Sequence, residues 1–170
     1  MSRPGILIVA VIMIVLAMPP LPAVAGDGQA SPEEVVQKVR EASDFLSQRK
    51  ADGISAFQDP DGEWVWKDTY VWVLQCGAGT NAAHAIKPKL VGMNLMGIRD
   101  TAGKLFFAEF CEMARHPNGG WVEYLWPKVG ERTPSRKITY ILQVPGTDYQ
   151  VAAGIYDETA DLADLRKLIE

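Results

Sequence analysis

Lys137 and Thr139 alternate in the run Lys137-Ile138-Thr139-Tyr140, so on a strand they share one face. A lysine there could anchor a carboxylate if it enters a pocket, and is otherwise a solvated strand-end cation. Tyr124 and Trp126 share one side of Gly120-Trp-Val-Glu-Tyr-Leu-Trp126, with Trp121 and Glu123 on the other. Tyr70 heads the run Tyr70-Val-Trp-Val-Leu74. Aromatics spaced along a half-open sheet build the wall of a small-molecule pocket more often than a catalytic centre. Any one of these rings suits core packing as well as ligand contact. The hydroxyls of Tyr70 and Tyr140 need partners if buried, either ligand oxygens or backbone. His84 has two roles open to it, a pocket contact or a structural hydrogen bond. The tyrosines, tryptophans and Lys137 suit a small carboxylate, although tryptophans also suit amines through cation–π contact.

Reactive chemistry has less support. Cys76, His84, Cys111 and His116 have the right types for zinc, but their spacing lacks the compact pairs of structural sites. The chain has no G-x-S-x-G elbow, no H-E-x-x-H, no glycine-rich phosphate loop and no C-x-x-C-H. The expectation is therefore a protein that is not an enzyme and carries no cofactor or metal. Cys76 and Cys111 read first as a candidate disulfide, with two buried free thiols as the alternative.

These side chains must be positioned by a recognisable series of elements. Ser31-Pro32-Glu33-Glu34 is a helix start, with Ser31 as N-cap, Pro32 in the first helical position and Glu34 completing a capping box. Val35, Val39, Ala42 and Leu46 draw one apolar stripe over four to five turns. Ala51–Phe57 reads as a connection with about one helical turn, and Asp59–Gly62 as a turn. Strands are expected at 64–67, 70–75, 81–86, 121–126, 136–144 and 149–156. A helical turn is expected near Leu95–Ile98, a helix over 104–115 and a closing helix over 159–169. Asp100 and Gly103 belong to a turn, as does Asn94. Short links such as Pro145–Asp148 require antiparallel neighbours. The fold expected is α+β: an antiparallel sheet of five to six strands with the long N-terminal helix packed on one face.

Residues 1–25 read as a secretory signal peptide: Arg3, the apolar run Ile6–Met18, Pro19-Pro20 and an A-x-A site at Ala23-Val24-Ala25. An uncleaved membrane anchor is the rival, but the run is shorter than the ~18–20 residues of a spanning helix. Residues 26–30 form a flexible mature N-terminus and 31–170 a single domain. No second apolar stretch approaches membrane length, so the mature chain is expected to be soluble, periplasmic or secreted, and not membrane-spanning. Without Arg3 it has 16 basic and 21 acidic side chains, a net charge of −5. With no basic stripe, nucleic acid is not an expected partner.

Seven segments in order resemble a single Cache domain of the type-2 branch. They are Tyr70-Val-Trp-Val, Ala83-His84, Leu90-Val-Gly92-Met-Asn94-Leu95, Asp100-x-x-Gly103-Lys104, Gly120-Trp121-Val122-Glu-Tyr124-x-Trp126, Lys137-x-Thr139-Tyr140 and Gly154-Ile-Tyr156. The resemblance runs from the Ser31 helix to Tyr156. It departs where the family often has His-Pro, since here Ala85 follows His84 and the proline comes at Pro88. It implies an extracytoplasmic, PAS-like sensor domain that binds small molecules, often carboxylates or amino acids. It strengthens Lys137 as a ligand contact, beside the candidates Tyr124, Trp126, Tyr70, Tyr140 and His84 that their residue types suggest. Such domains usually sit in chemoreceptors and histidine kinases. A free-standing module would report to a separate membrane receptor or kinase, by ligand binding or, in the alternative, as a ligand-free accessory protein.

Overall fold

The computed structural model describes residues 28–170; the signal segment expected at residues 1–25 lies outside them. Helix α1 spans Pro32–Arg49 with the capping box in place: Ser31 Oγ accepts the Glu34 N–H, and a Glu34 carboxylate oxygen accepts the Ser31 N–H. Its stripe of Val35, Val39, Ala42 and Leu46 is fully buried. Arg49 closes the last turn, where positive charge complements the helix dipole. The next nine residues, Lys50–Gln58, form a 3-10 run, longer than the single turn expected. Gly53 sits there under α1, where a Cβ would lie 2.8 Å from Arg49 Cβ and 2.9 Å from Phe45.

Strands β1 (Val65–Trp66) and β2 (Thr69–Tyr70) form a small hairpin turning at Lys67, whose φ is 48°. The main sheet contains β3 (Trp72–Gln75), β4 (Thr80–Ala83), β5 (Gly120–Pro127), β6 (Pro134–Gln143) and β7 (Gln150–Ile155). Its order is β4-β3-β7-β6-β5, every pair antiparallel. The single strand expected over 70–75 is split at Val71, where the chain leaves one ladder for the other and the Val71 N–H bonds Trp64 O. Helix α2 is Phe106–Met113 and helix α3 Leu162–Lys167, both shorter than expected. The segment Leu95–Ile98 is a tight turn rather than a helical one. The Leu95 N–H bonds Gly79 O, and the Met96 N–H bonds the Asn94 side chain.

The sheet separates two cores. On one face, Val71, Val73, Ile138, Tyr140, Val151 and Ala153 pack with α1 and α3. On the other, Tyr70, Trp72, Leu74, Val122, Tyr124 and Ile141 pack with α2 and the 84–106 loops. This two-faced, PAS-like α+β sheet positions the site.

Candidate functional site

Strand alternation divides the aromatic residues. Val122, Tyr124 and Trp126 turn toward α2, whereas Trp121 turns toward α3 and donates its indole N–H to Leu165 O at 2.9 Å. On β6, Lys137 and Thr139 face the α2 side while Ile138 and Tyr140 face α1. Tyr140 therefore stands across the sheet from the other ligand-contact candidates, and its hydroxyl donates to Asn118 O at 2.9 Å. Its placement corrects the pocket role expected for it.

The α2 side holds a partly open cavity. Its walls include Tyr70, Trp72, Phe106, Phe110, Tyr124 and Trp126, with His84, Asn81 and four further apolar side chains completing the lining. Phe106 stacks on Tyr124 at 4.6 Å, and Phe110 meets Tyr124 edge-on at 5.2 Å. The empty space, mouth included, is about 340 Å³, so any occupant is small.

Lys137 lies one layer behind this wall. It is fully buried, contacts Tyr70 and Trp72, and does not itself line the cavity. Its ammonium sits 4.4 Å from the Tyr70 ring centre, 5.0 Å from Trp72 and 4.9 Å from Tyr156. Its polar partner is the Tyr70 hydroxyl at 3.4 Å, a long contact, and no carboxylate pairs with it among the described residues. Burial pulls its pKa down to about 7; Asp68 opposes the shift and Lys87 adds to it. Gly154 makes room for this lysine. A Cβ there would collide with the Thr139 hydroxyl, lie 2.6 Å from Ile138 O and lie 3.0 Å from Lys137 Cε.

His84 is buried against Tyr70, 4.9 Å between ring centres. Its Nδ1 accepts the Lys87 N–H at 3.1 Å, so the neutral ring carries its proton on Nε2. Burial, then the charges of Lys137 and Lys87, lower its pKa to about 3. Folding thus disfavours the imidazolium. Below pH 6.5 the unfolded chain takes up a proton that the folded one refuses, so stability falls with pH between about 6.5 and 3. The slope due to His84 is about 1.4 kcal/mol per pH unit. Urea melts of His84→Gln should show that slope reduced; an unchanged slope would remove His84 as its cause.

Lys87 itself stands over Trp126, 4.9 Å from its ring. Burial pushes the Tyr70 and Tyr124 hydroxyls up, so both are protonated donors. Tyr124 also accepts the Thr139 hydroxyl at 3.3 Å. Asp100 closes the neighbouring turn. Burial raises its pKa, but three backbone N–H donors, those of Leu125, Lys104 and Ala102, outweigh this and leave it lowered. Gly103 follows at φ +86°, the left-handed conformation that favours glycine.

Cys76, just past β3, is bonded to Cys111 in α2, with Cα atoms 5.5 Å apart. The two sulfurs are thereby joined to each other instead of held as thiolates for a metal, and the bond ties the helix carrying Phe106 and Phe110 to the sheet carrying Trp72.

Sequence reasoning missed Asn81. Strand alternation from Asn81 would place His84 on the opposite face. A bulge intervenes: Val73 pairs with Ala83 and Leu74 with Asn81, leaving Ala82 extra. The bulge turns both Asn81 and His84 toward the cavity, and nothing in the residue types announces it. The Phe106–Phe110 wall is legible as an i, i+4 pair on the helix expected over 104–115.

An aromatic cavity in front of a buried cation, set on a PAS-like sheet, is the layout of a sensor domain. The family described as Single Cache domain 2 matches residues 10–165, and the chain belongs to it. The chain is 30% identical to the methyl-accepting chemotaxis protein McpP of Pseudomonas putida over 176 aligned positions, covering 96% of this chain and 32% of the relative. It therefore spans about a third of that receptor's length. A solved periplasmic sensor domain of a chemotaxis protein is 29% identical, with a TM-score of 0.59 over 72% of this chain and 93% of that one. A Cache chemosensory domain, solved under a title on carboxylic acid recognition, is 22% identical with a TM-score of 0.59 over 72% of this chain and 88% of that one. A methyl-accepting chemotaxis protein of Vibrio parahaemolyticus is 22% identical with a TM-score of 0.57, covering 72% of this chain and 81% of that one. Among the described residues no helix is long and apolar enough to cross a membrane.

Proposed function

We propose that this chain is an exported sensor domain that binds a short carboxylate in the aromatic cavity and reports its ligand state to a separate membrane receptor or kinase. Lys137 carries this reading. A fully buried ammonium with no carboxylate partner among the described residues is costly to fold, and an entering anion would relieve that cost. Tyr70 links the two layers, since it lines the cavity and touches Lys137. A carboxylate accepting from the Tyr70 hydroxyl would draw the ammonium forward, with Trp126 and Tyr124 as walls and His84 Nε2–H as a further donor. Recognition of carboxylic acids by a solved domain of the same fold, and the chemotaxis role of a 30% identical relative, fit this reading. The segment Arg3 to Ala25 supplies the export.

Signalling would follow from strand alternation. Lys137 lies on the cavity side of the sheet, one layer behind the wall, while the next residue, Ile138, belongs to the core under α1. A shift of β6 on ligand binding is felt by α1, and the ligand acts by favouring one of two arrangements.

A thermal-shift and calorimetric titration with short carboxylates, amino acids, amines and purines tests the proposal. A saturable rise in melting temperature is expected with short carboxylates. Lys137 must be charged to hold the anion, so affinity should fall up to about tenfold per pH unit above pH 7. No shift with any class, from folded protein, would remove the ligand and leave the accessory-protein alternative.

A further inference from the structure

The polar groups of the cavity are unevenly matched. Tyr70 and His84 offer an O–H and an Nε2–H, and the two tryptophans on the wall, Trp72 and Trp126, have only donors. The Tyr124 oxygen already accepts from Thr139. Asn81 is different. It is 4% exposed, lines the cavity, and its Oδ1 is fully buried with no hydrogen-bond partner among the described residues. Its backbone is engaged elsewhere, the carbonyl accepting the Gly92 N–H at 3.0 Å, so the bulged strand holds the side chain in place. A buried acceptor left unpaired costs the full desolvation of that group.

A plain carboxylate presents acceptors only. It would satisfy Tyr70, His84 and Lys137 and leave Asn81 Oδ1 unpaired. A 2-oxo group adds one more acceptor. A hydroxyl on carbon 2 brings the missing proton, one bond away from the carboxylate. Resting on the carboxylate reading above, we propose that Asn81 makes the cavity selective for 2-hydroxy carboxylates by accepting the hydrogen bond of the hydroxyl on carbon 2.

The test uses three ligands with one carbon skeleton: propanoate, 2-hydroxypropanoate and 2-oxopropanoate. Their Kd values for the purified protein are measured by calorimetry. The hydroxy acid is expected to bind at least about tenfold more tightly than either of the others, the lower part of what pairing a buried acceptor is worth. In Asn81→Leu, close in size and without the amide, that ratio should fall to within about twofold. Asn81→Ala is measured beside it, and the melting temperature of each ligand-free variant shows which has folded. Equal affinities for all three ligands in the unaltered protein would overturn the selectivity and leave the carboxylate reading standing. A preference that survives in both variants would overturn the role of Asn81. Binding of none of the three would overturn both.

Discussion

Lys137→Met is expected to make the ligand-free protein more stable at pH 7 while abolishing its response to carboxylates. Methionine keeps the length and apolar stem of the lysine and removes the charge. The lysine pKa falls from 10.5 to about 7 on folding, which corresponds to roughly 5 kcal/mol opposing the buried cation. The three surrounding rings return part of this by cation–π attraction. A net gain of about 2–3 kcal/mol is the expected result. The pH dependence follows from the direction of the shift. Below pH 7 both folded and unfolded chains carry the proton and the penalty is complete. Between about 7 and 10.5 the unfolded chain binds more protons, so wild-type stability rises with pH, by up to about 1.4 kcal/mol per unit. Urea denaturation at pH 7 and 9 should therefore show a rise in wild type that is absent in Lys137→Met. Carboxylate affinity should drop at least about 100-fold in the variant. A variant that is destabilised and still binds would make Lys137 a structural residue and sink the sensor reading built on it.

Reducing the Cys76–Cys111 bond should have the second-largest effect. The bond spans 35 positions of sequence, for which the chain-entropy relation gives ~4 kcal/mol. For a domain of this size that corresponds to a fall in melting temperature of about 10–15 °C. Function should suffer beyond stability, because Phe106 and Phe110 share α2 with Cys111 and line the cavity. Freed from β3, the helix would sample positions that open the wall, and carboxylate Kd should rise about tenfold at temperatures where the reduced protein is still folded. Calorimetry with and without reductant, and with the Cys76→Ser, Cys111→Ser double variant, measures both effects. A melting temperature unchanged by reduction would remove the bond as a source of stability.

Much of this architecture was legible in the chain because its determinants are local. The capping box at Ser31–Glu34 and the stripe at Val35, Val39, Ala42 and Leu46 specify α1 through contacts three or four residues apart. Alternation along 120–126 and 136–144, with the short link at Pro145–Asp148, specifies antiparallel pairing. The same period of two put Lys137 with Thr139, and Tyr124 with Trp126. It also showed that Tyr140 must oppose Lys137, yet residue type alone drew Tyr140 into the list of ligand contacts. Its position on the α1 face was readable from the pattern and was outweighed by its hydroxyl.

The sequence by itself determined most of the elements, the antiparallel pairing of strands joined by short links and the family to which the chain belongs, because caps, periodicity and turn residues act over a few positions. Tertiary structure alone decided which face of each strand met which helix. It also brought Tyr156 and Trp72 onto Lys137 from strands far apart in sequence, and closed Cys76 onto Cys111. Through one extra residue at Ala82, it turned Asn81 and His84 toward the same cavity. Burial, and with it the lowered pKa of Lys137 and His84, is a property of assembled surfaces rather than of any residue, since desolvation depends on what covers a group.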